Sequence, residues 1–428
     1  MLDIKLIREK PDLIRENLKR RQDPEKLKML EDFLKGDQKW RKLIVDANYL
    51  RAERNRLSLE IGKAKSEKKD VAKLMKEAAG IPEKIKDIEK EIAELEEKNK
   101  LLLMKIPNML HESVPYGKDD SENVEAKKWG KEPKFDFEPK SHLEILENLG
   151  MIDFERAAKV VGAGFYYLKG DAVLLDMALQ RFAVEHLKKK GFTIIWPPIM
   201  IGREAYEGVT DLSDFELVTY KIDGANDYLI ATSEHPMAAM MKDEMILKKD
   251  LPLKLCGVSP CFRKEIGTHG KYTKGLFRVH QFNKIEQFIF CLPEDSWKWH
   301  EEIQKNSEEL YQQLGLYYRV VNICTGDIGT LAAKKYDIEV WMADGNFRES
   351  GSNSNVTDYQ ARRLNVKWKE GEGKPPAGFV HTLNNTALAT SRTMIAIIEQ
   401  FQQADGSVKI PTVLQPYMNG MSKLEKKR

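Results

Sequence analysis

Two seven-residue repeats run through the first quarter of the chain, and they fix what that part can become. Leu43, Ala47, Leu50, Arg54, Leu57, Ile61 and Ala64 alternate four and three apart, and so do Ile81, Ile85, Ile88, Ile92, Leu95, Asn99, Leu102 and Ile106. That period draws a narrow apolar seam along a helix, and a second helix must cover it. Two seams of similar length with a short connector predict an antiparallel coiled-coil hairpin. Each arm would be roughly 35–40 Å long at about 1.5 Å per residue. Arg54 and Asn99 interrupt the seams and are expected to fix register at some expense in stability. The pattern alone favours an oligomerisation coil. The connector points elsewhere: Lys63, Lys65, Lys68, Lys69, Lys73 and Lys76 stand against Glu67, Asp70 and Glu77, six cations to three anions. Such a surplus on a projecting tip suits contact with phosphates.

The rest of the chain is patterned differently. At 428 residues it exceeds one usual domain, and 42% apolar content supplies a substantial core. Residues 1–106 read as a helical domain. Residues 107–140, with Asn108, Pro115, Gly117, Gly130, Pro133 and Pro139 among many charges, read as a linker. In residues 141–428 helical patterns alternate irregularly with strand runs such as 228–232 and 288–292. That order fits an α+β fold, an antiparallel sheet flanked by helices, and no Rossmann or P-loop glycine pattern accompanies it. A net charge of +3 excludes a protein that binds polyanions over its whole surface, so nucleic acid must meet local basic patches. Cys256, Cys261, Cys291 and Cys324 lack the paired spacing of a zinc site and read as buried thiols. No signal peptide or run of about 18 apolar residues is present, so a soluble cytoplasmic protein without a membrane partner is expected. The basic tail from Lys423 to Arg428 is expected to be disordered.

Three stretches carry the chemistry. From Cys261 to Phe290, two alternating apolar runs flank a Gly-, Thr- and Lys-rich connector, which predicts two antiparallel strands and a long loop. Arg263 and Glu265 would share a face of the first strand; Phe282, Lys284 and Glu286 would share one on the second, with Arg278 just before them. Alone, this reads more readily as a half-solvated hairpin with cross-strand ion pairs. Its company reverses that. The small and polar run 384–389 leads into Arg392 and a helical pattern starting near Ser391, which would set Arg392 in a first helical turn where anions bind. Upstream, residues 191–198 end a helix and run through a strand to Pro197 and Pro198.

In this order the three stretches resemble the signature motifs of class II aminoacyl-tRNA synthetases. The TSEHP run at 232–236, CFRKE at 261–265, NNTALATSR at 384–392 and IPTVLQPYM at 410–418 are similar to the seryl-tRNA synthetase family, and the resemblance spans essentially the whole chain. It implies two steps: L-serine attacks the α-phosphate of ATP to give seryl-adenylate, and the tRNA 3′-end then takes the seryl group. Arg263, Arg278 and Arg392 are implied as the catalytic cations. Arg263 would bridge the α-phosphate and the serine carboxylate, Arg278 would grip the γ-phosphate, and Arg392 would reach the phosphates and the adenine face. Phe282 would stack on adenine and Glu265 would accept from its amino group. Glu349 and Ser352 would hold Mg²⁺, unless they are a solvated glutamate and a helix-capping serine. Thr232 and Glu234 would face the serine ammonium, with Glu286 and Thr386 on its hydroxyl and Asn384 beside them. A carboxylate left without its hydroxyl partner is costly, so alanine and glycine could be rejected by factors of about 10⁴.

The resemblance further implies that the lysine-rich arm tip meets tRNA(Ser), and it leaves open whether tRNA(Sec) is charged too. It implies a homodimer through the region around 171–198, where Leu174, Leu175, Met177 and Leu179 offer more apolar surface than one helix face usually hides. A Cys/Glu/Cys metal set is missing, which implies the common, zinc-free form. Two other readings stay open here: a paralogue activating serine for a non-tRNA acceptor, and a non-catalytic interaction protein.

Overall fold

The computed structural model describes residues 1–211, 216–265 and 275–426, which divide into two compact units, Met1–Pro107 and Asn108–Arg428. The first is all helix: α1 (Ile4–Glu9), α2 (Pro11–Arg20), α3 (Pro24–Ser66), α4 (Ala72–Ala79) and α5 (Ile81–Lys105). Asp23 caps α3 by accepting from the Glu25 and Lys26 amides, with Pro24 in the first turn. At 43 residues, α3 runs about 65 Å, longer than the visible seam, because it begins at Pro24 rather than near Leu43. Leu57 packs on Ile81 and Ile85, with Leu50, Leu74 and Ala78 around them, so the two seams meet. Arg51 pairs with Glu89 at 2.7 Å across the seam.

Two expectations need correction. Arg54 is exposed and lies near Asn55, so it does not set register. Asn99 is buried and packs against Gly36, where a Cβ would strike its amide oxygen, so glycine is what allows the close approach there. The connector is also more than a turn, since α4 forms in it.

The second unit is built on an eight-stranded sheet. In chain order its strands are β1 (Val124–Trp129), β2 (Thr193–Ile195), β3 (Leu253–Phe262), β4 (Gln281–Cys291), β5 (Tyr318–Asn322), β6 (Lys334–Trp341), β7 (Phe347–Thr357) and β8 (His381–Ala389). They lie in the order β1-β5-β6-β7-β8-β4-β3-β2, antiparallel except where β2 joins β3. Strands β3, β4 and β8 are buried along most of their length, polar residues included, because helices cover them. Helices Asp171–Lys189, Ser296–Leu314 and Thr390–Gln400 supply that cover through Leu175, Leu179, Ile303, Leu310, Ile395 and Ile397. Every residue of Thr390–Gln400 is buried except Arg392, which leaves a rigid, sunken helix with one cation reaching out of it.

The stretch expected as a linker is folded. Its Val124–Trp129 forms the edge strand β1 on β5, bulged between Glu125 and Lys127. The tail differs too: Lys423–Leu424 pair with Val408–Lys409, while residues 427–428 lie outside the described part. Among the described residues no helix is long and apolar enough to cross a membrane.

Candidate active site

Strands β3 and β4 pair from Leu253 opposite Phe290 to Phe262 opposite Gln281, and the Arg263 amide extends the ladder by donating to the His280 carbonyl at 3.0 Å. Glu265 does not continue the pleat. Its φ of +46 turns the backbone, so it enters the cleft from a bend and not from the strand face shared with Arg263. There its carboxylate accepts from Arg278 at 3.1 Å. The connector's residues 266–274 lie outside the described part. The Arg263 guanidinium sits 5.4 Å from the Phe282 ring centre and its Nε donates to the Ala231 carbonyl. Arg392 lies 4.8 Å from the Phe277 ring and donates to both the carbonyl and the carboxylate of Glu349 at 3.0 Å. Arg263, Glu265, Phe277, Phe282, Glu349 and Arg392 line one cleft of flat rings and guanidinium groups, whereas Arg278 stands behind Glu265 and does not line it.

A second pocket adjoins it, lined by Thr232, Glu234, Glu286, Ser352, Asn384 and other groups. Arg263, Lys284, Glu349 and Thr386 belong to both, so the two form a continuous site. Glu286, 1% exposed, pairs with Lys284 at 2.6 Å and accepts from the Thr386 hydroxyl at 3.1 Å. The ion pair that a bland reading gives this strand is therefore real, but it lies inside the pocket. Glu234 accepts from Gln360 at 2.8 Å, and burial together with nearby Glu286 pushes its carboxyl up to about 7.

Glu349 and Ser352 are three apart on β7, which in a regular strand would point them to opposite faces. The pairing of β6 with β7 steps from Ile338–Gly351 to Glu339–Glu349, leaving Ser350 as an extra residue. That bulge re-phases the strand, and both side chains line the same pocket. Arg392, Lys335 and Arg263 surround Glu349 with positive charge and hold its carboxyl below the usual carboxylate range. A charged carboxylate beside a hydroxyl is the hard-oxygen pair that suits Mg²⁺ alongside phosphate oxygens.

The six lysines of the tip are all exposed: Lys63 and Lys65 end α3, Lys73 and Lys76 sit on α4, and Lys68 and Lys69 lie between. Lys69 pairs with Glu67 at 2.7 Å.

Residues 1–110 match the seryl-tRNA synthetase N-terminal domain, and residues 219–401 match the tRNA synthetase class II core domain (G, H, P, S and T). A serine–tRNA ligase of Methanocella arvoryzae is 58% identical over 99% of this chain and 100% of its own length. The chain belongs to the seryl-tRNA synthetase family. A serine–tRNA ligase of Thermococcus sibiricus is 50% identical over 97% of the chain and 96% of its own length. The crystal structure of seryl-tRNA synthetase from Pyrococcus horikoshii complexed with ATP superposes with a TM-score of 0.95 at 48% identity, over 100% of both chains. A cytoplasmic serine–tRNA ligase of Naegleria fowleri in complex with AMP gives 0.89 at 37%, over 100% of this chain and 99% of its own.

Several residues near this synthetase site are given no role by the sequence. Lys284 had a signal, since it shares the strand face of Glu286. Lys335 and Gln360 reach the site from β6 and from helix Tyr359–Leu364, and no local pattern marks them. His142 is remote in sequence, yet its Nδ1 meets Glu399 at 2.7 Å and its Nε2 accepts from the Leu276 amide, next to Phe277 and Arg278.

Proposed function

We propose that this chain charges tRNA(Ser) with L-serine in two steps, making seryl-adenylate from serine and ATP and then esterifying the tRNA 3′-end. The serine carboxylate is already a nucleophile at neutral pH, so adenylation needs orientation and charge neutralisation more than a general base. Arg263 is the observation that carries the reading. It stands where the ring-and-guanidinium cleft meets the carboxylate pocket, so one cation can touch the α-phosphate and the attacking carboxylate together. Arg278 takes the γ-phosphate, Phe282 and Arg392 the adenine ring and phosphates, and Glu265 the adenine amino group. Glu349 and Ser352 would hold Mg²⁺, which would supply neutralisation of negative charge during adenylation.

In the second pocket Thr232 and Glu234 take the ammonium, while Glu286, Thr386 and Asn384 surround the hydroxyl. Lys284 holds Glu286 in place before serine arrives. The lysines at the arm tip take phosphates of tRNA(Ser). Two chains assemble as a homodimer in the cytoplasm. Met177, Val173, Ile194 and Trp196 form an exposed apolar surface on helix Asp171–Lys189 and near β2, whereas Leu175 and Leu179, expected at that interface, are fully buried in the chain's own core. Serine-dependent exchange of pyrophosphate into ATP, with and without Mg²⁺, tests the first step. Acylation of tRNA(Ser) and tRNA(Sec) transcripts in parallel tests the second and its range. Exchange driven equally by alanine or glycine would overturn the assignment.

A further inference from the structure

Part of the wall of the carboxylate pocket is irregular backbone that something must hold. Leu331 and its neighbours line it from the β5–β6 connection, and Val356 lines it from the end of β7. Pairing of β7 with β8 shifts between Asn355 and Thr357, and Thr357 sits at φ +51, a left-handed conformation that strains a β-branched residue. Strain of this kind persists only where surrounding groups enforce it.

Asn108 is such a group. Its carboxamide nitrogen lies 2.9 Å from the Leu331 carbonyl, 2.8 Å from the Val356 carbonyl and 3.0 Å from the Thr357 hydroxyl. Its Oδ1 accepts from the Met109 amide at 2.8 Å, which fixes the nitrogen toward the carbonyls. Its backbone amide donates to the Thr330 carbonyl at 2.9 Å, and the His111 amide does the same to Ala333. The side chain is 2% exposed, so water cannot replace these bonds. We propose that Asn108 is a positioning residue for the serine pocket: one amide ties Leu331 to Val356 and so sets the pocket's width and shape. This rests on the reading of that pocket as the serine site. Neither tied segment lines the nucleotide cleft, so the effect falls on serine and spares ATP.

The test uses full-length Asn108→Ala, Asn108→Asp and Thr357→Val, measuring pyrophosphate exchange with serine and ATP varied separately, and thermal midpoints. The alanine variant should raise KM for serine about 10-fold with KM for ATP within about twofold, as loss of buried hydrogen bonds predicts. Aspartate, which cannot donate and sets a charge against two carbonyls, should be worse. Thr357→Val, losing one acceptor, should raise serine KM about 2- to 4-fold. An unchanged serine KM in Asn108→Ala, or an equal rise for both substrates, overturns the proposal. If neither Asn108 variant folds, Thr357→Val decides: a selective rise supports the tie and an unchanged serine KM refutes it. Wild-type protein without serine-dependent exchange would defeat the functional reading instead.

Discussion

Replacing Glu286 by glutamine keeps the side chain's shape and removes its charge, and its surroundings set the consequences. Glu286 is buried between Lys284 at 2.6 Å and Thr386 at 3.1 Å. The glutamine oxygen can still accept from Thr386, but serine loses a charge-assisted partner worth about 1.5–3 kcal/mol. That corresponds to about 10- to 150-fold in kcat/KM for serine. Lys284 is left buried without its carboxylate, a separate cost to stability on the order of 3–5 kcal/mol. The two losses can be parted: adding Lys284→Met should recover stability without recovering serine. Alanine and glycine never used the bond, so their exchange rates should change far less and discrimination should collapse. Removing the Glu286 charge should also let Glu234 ionise at lower pH, since Glu286 helps to raise it. Pyrophosphate exchange with the three amino acids across pH, beside thermal melts, reads all of this. A variant that folds and still prefers serine would show that the hydroxyl is read elsewhere.

Serine binding should weaken on acidification, because its ammonium needs Glu234 charged and that carboxyl sits at about 7; KM for serine should climb from pH 8 to pH 6 while KM for ATP stays flat, and Glu234→Gln should abolish the trend. The same raised group adds stability at low pH that is lost as pH rises through about 7, so serine-free protein should melt slightly higher at pH 6 than at pH 8 on this account alone. A chain starting at Asn108 should keep exchange and charge tRNA poorly, whereas one starting at Val124 should lose exchange as well; equal loss of charging and exchange in the first would refute the division of labour. Trp196, 75% exposed, should lie in the subunit contact, so Trp196→Glu should dissociate the dimer in sedimentation; a wild-type monomer that is fully active would contradict the assembly.

Much of the candidate site's geometry was legible in the sequence, because Arg263 and Arg392 sit in short runs whose order is distinctive. Arg263, Phe282, Glu286 and Arg392 needed only strand alternation and a helix start to be placed. The heptads likewise delivered α3 against α5. What stayed hidden depends on single backbone events or on distant partners. The extra residue at Ser350 brings Glu349 and Ser352 to one face, and alternation alone would have separated them. Glu265 reaches Arg278 through one left-handed residue, which no hydrophobic pattern announces. Residues 107–140 looked like a linker because prolines, glycines and charges mark loops, yet Val124–Trp129 pairs at a sheet edge, where exposed polar side chains are tolerated. Asn108, read as one polar residue of that linker, makes bonds to residues more than two hundred positions away.

The most direct test is acylation of a complete tRNA pool by the intact protein, with each labelled amino acid offered in turn alongside ATP and Mg²⁺. Serine alone should become attached, in a base-labile ester at the tRNA 3′-end, and only on tRNAs that a serine-accepting transcript competes away. Stable attachment of a different amino acid, or serine-dependent pyrophosphate exchange with no tRNA charging at all, would contradict the account.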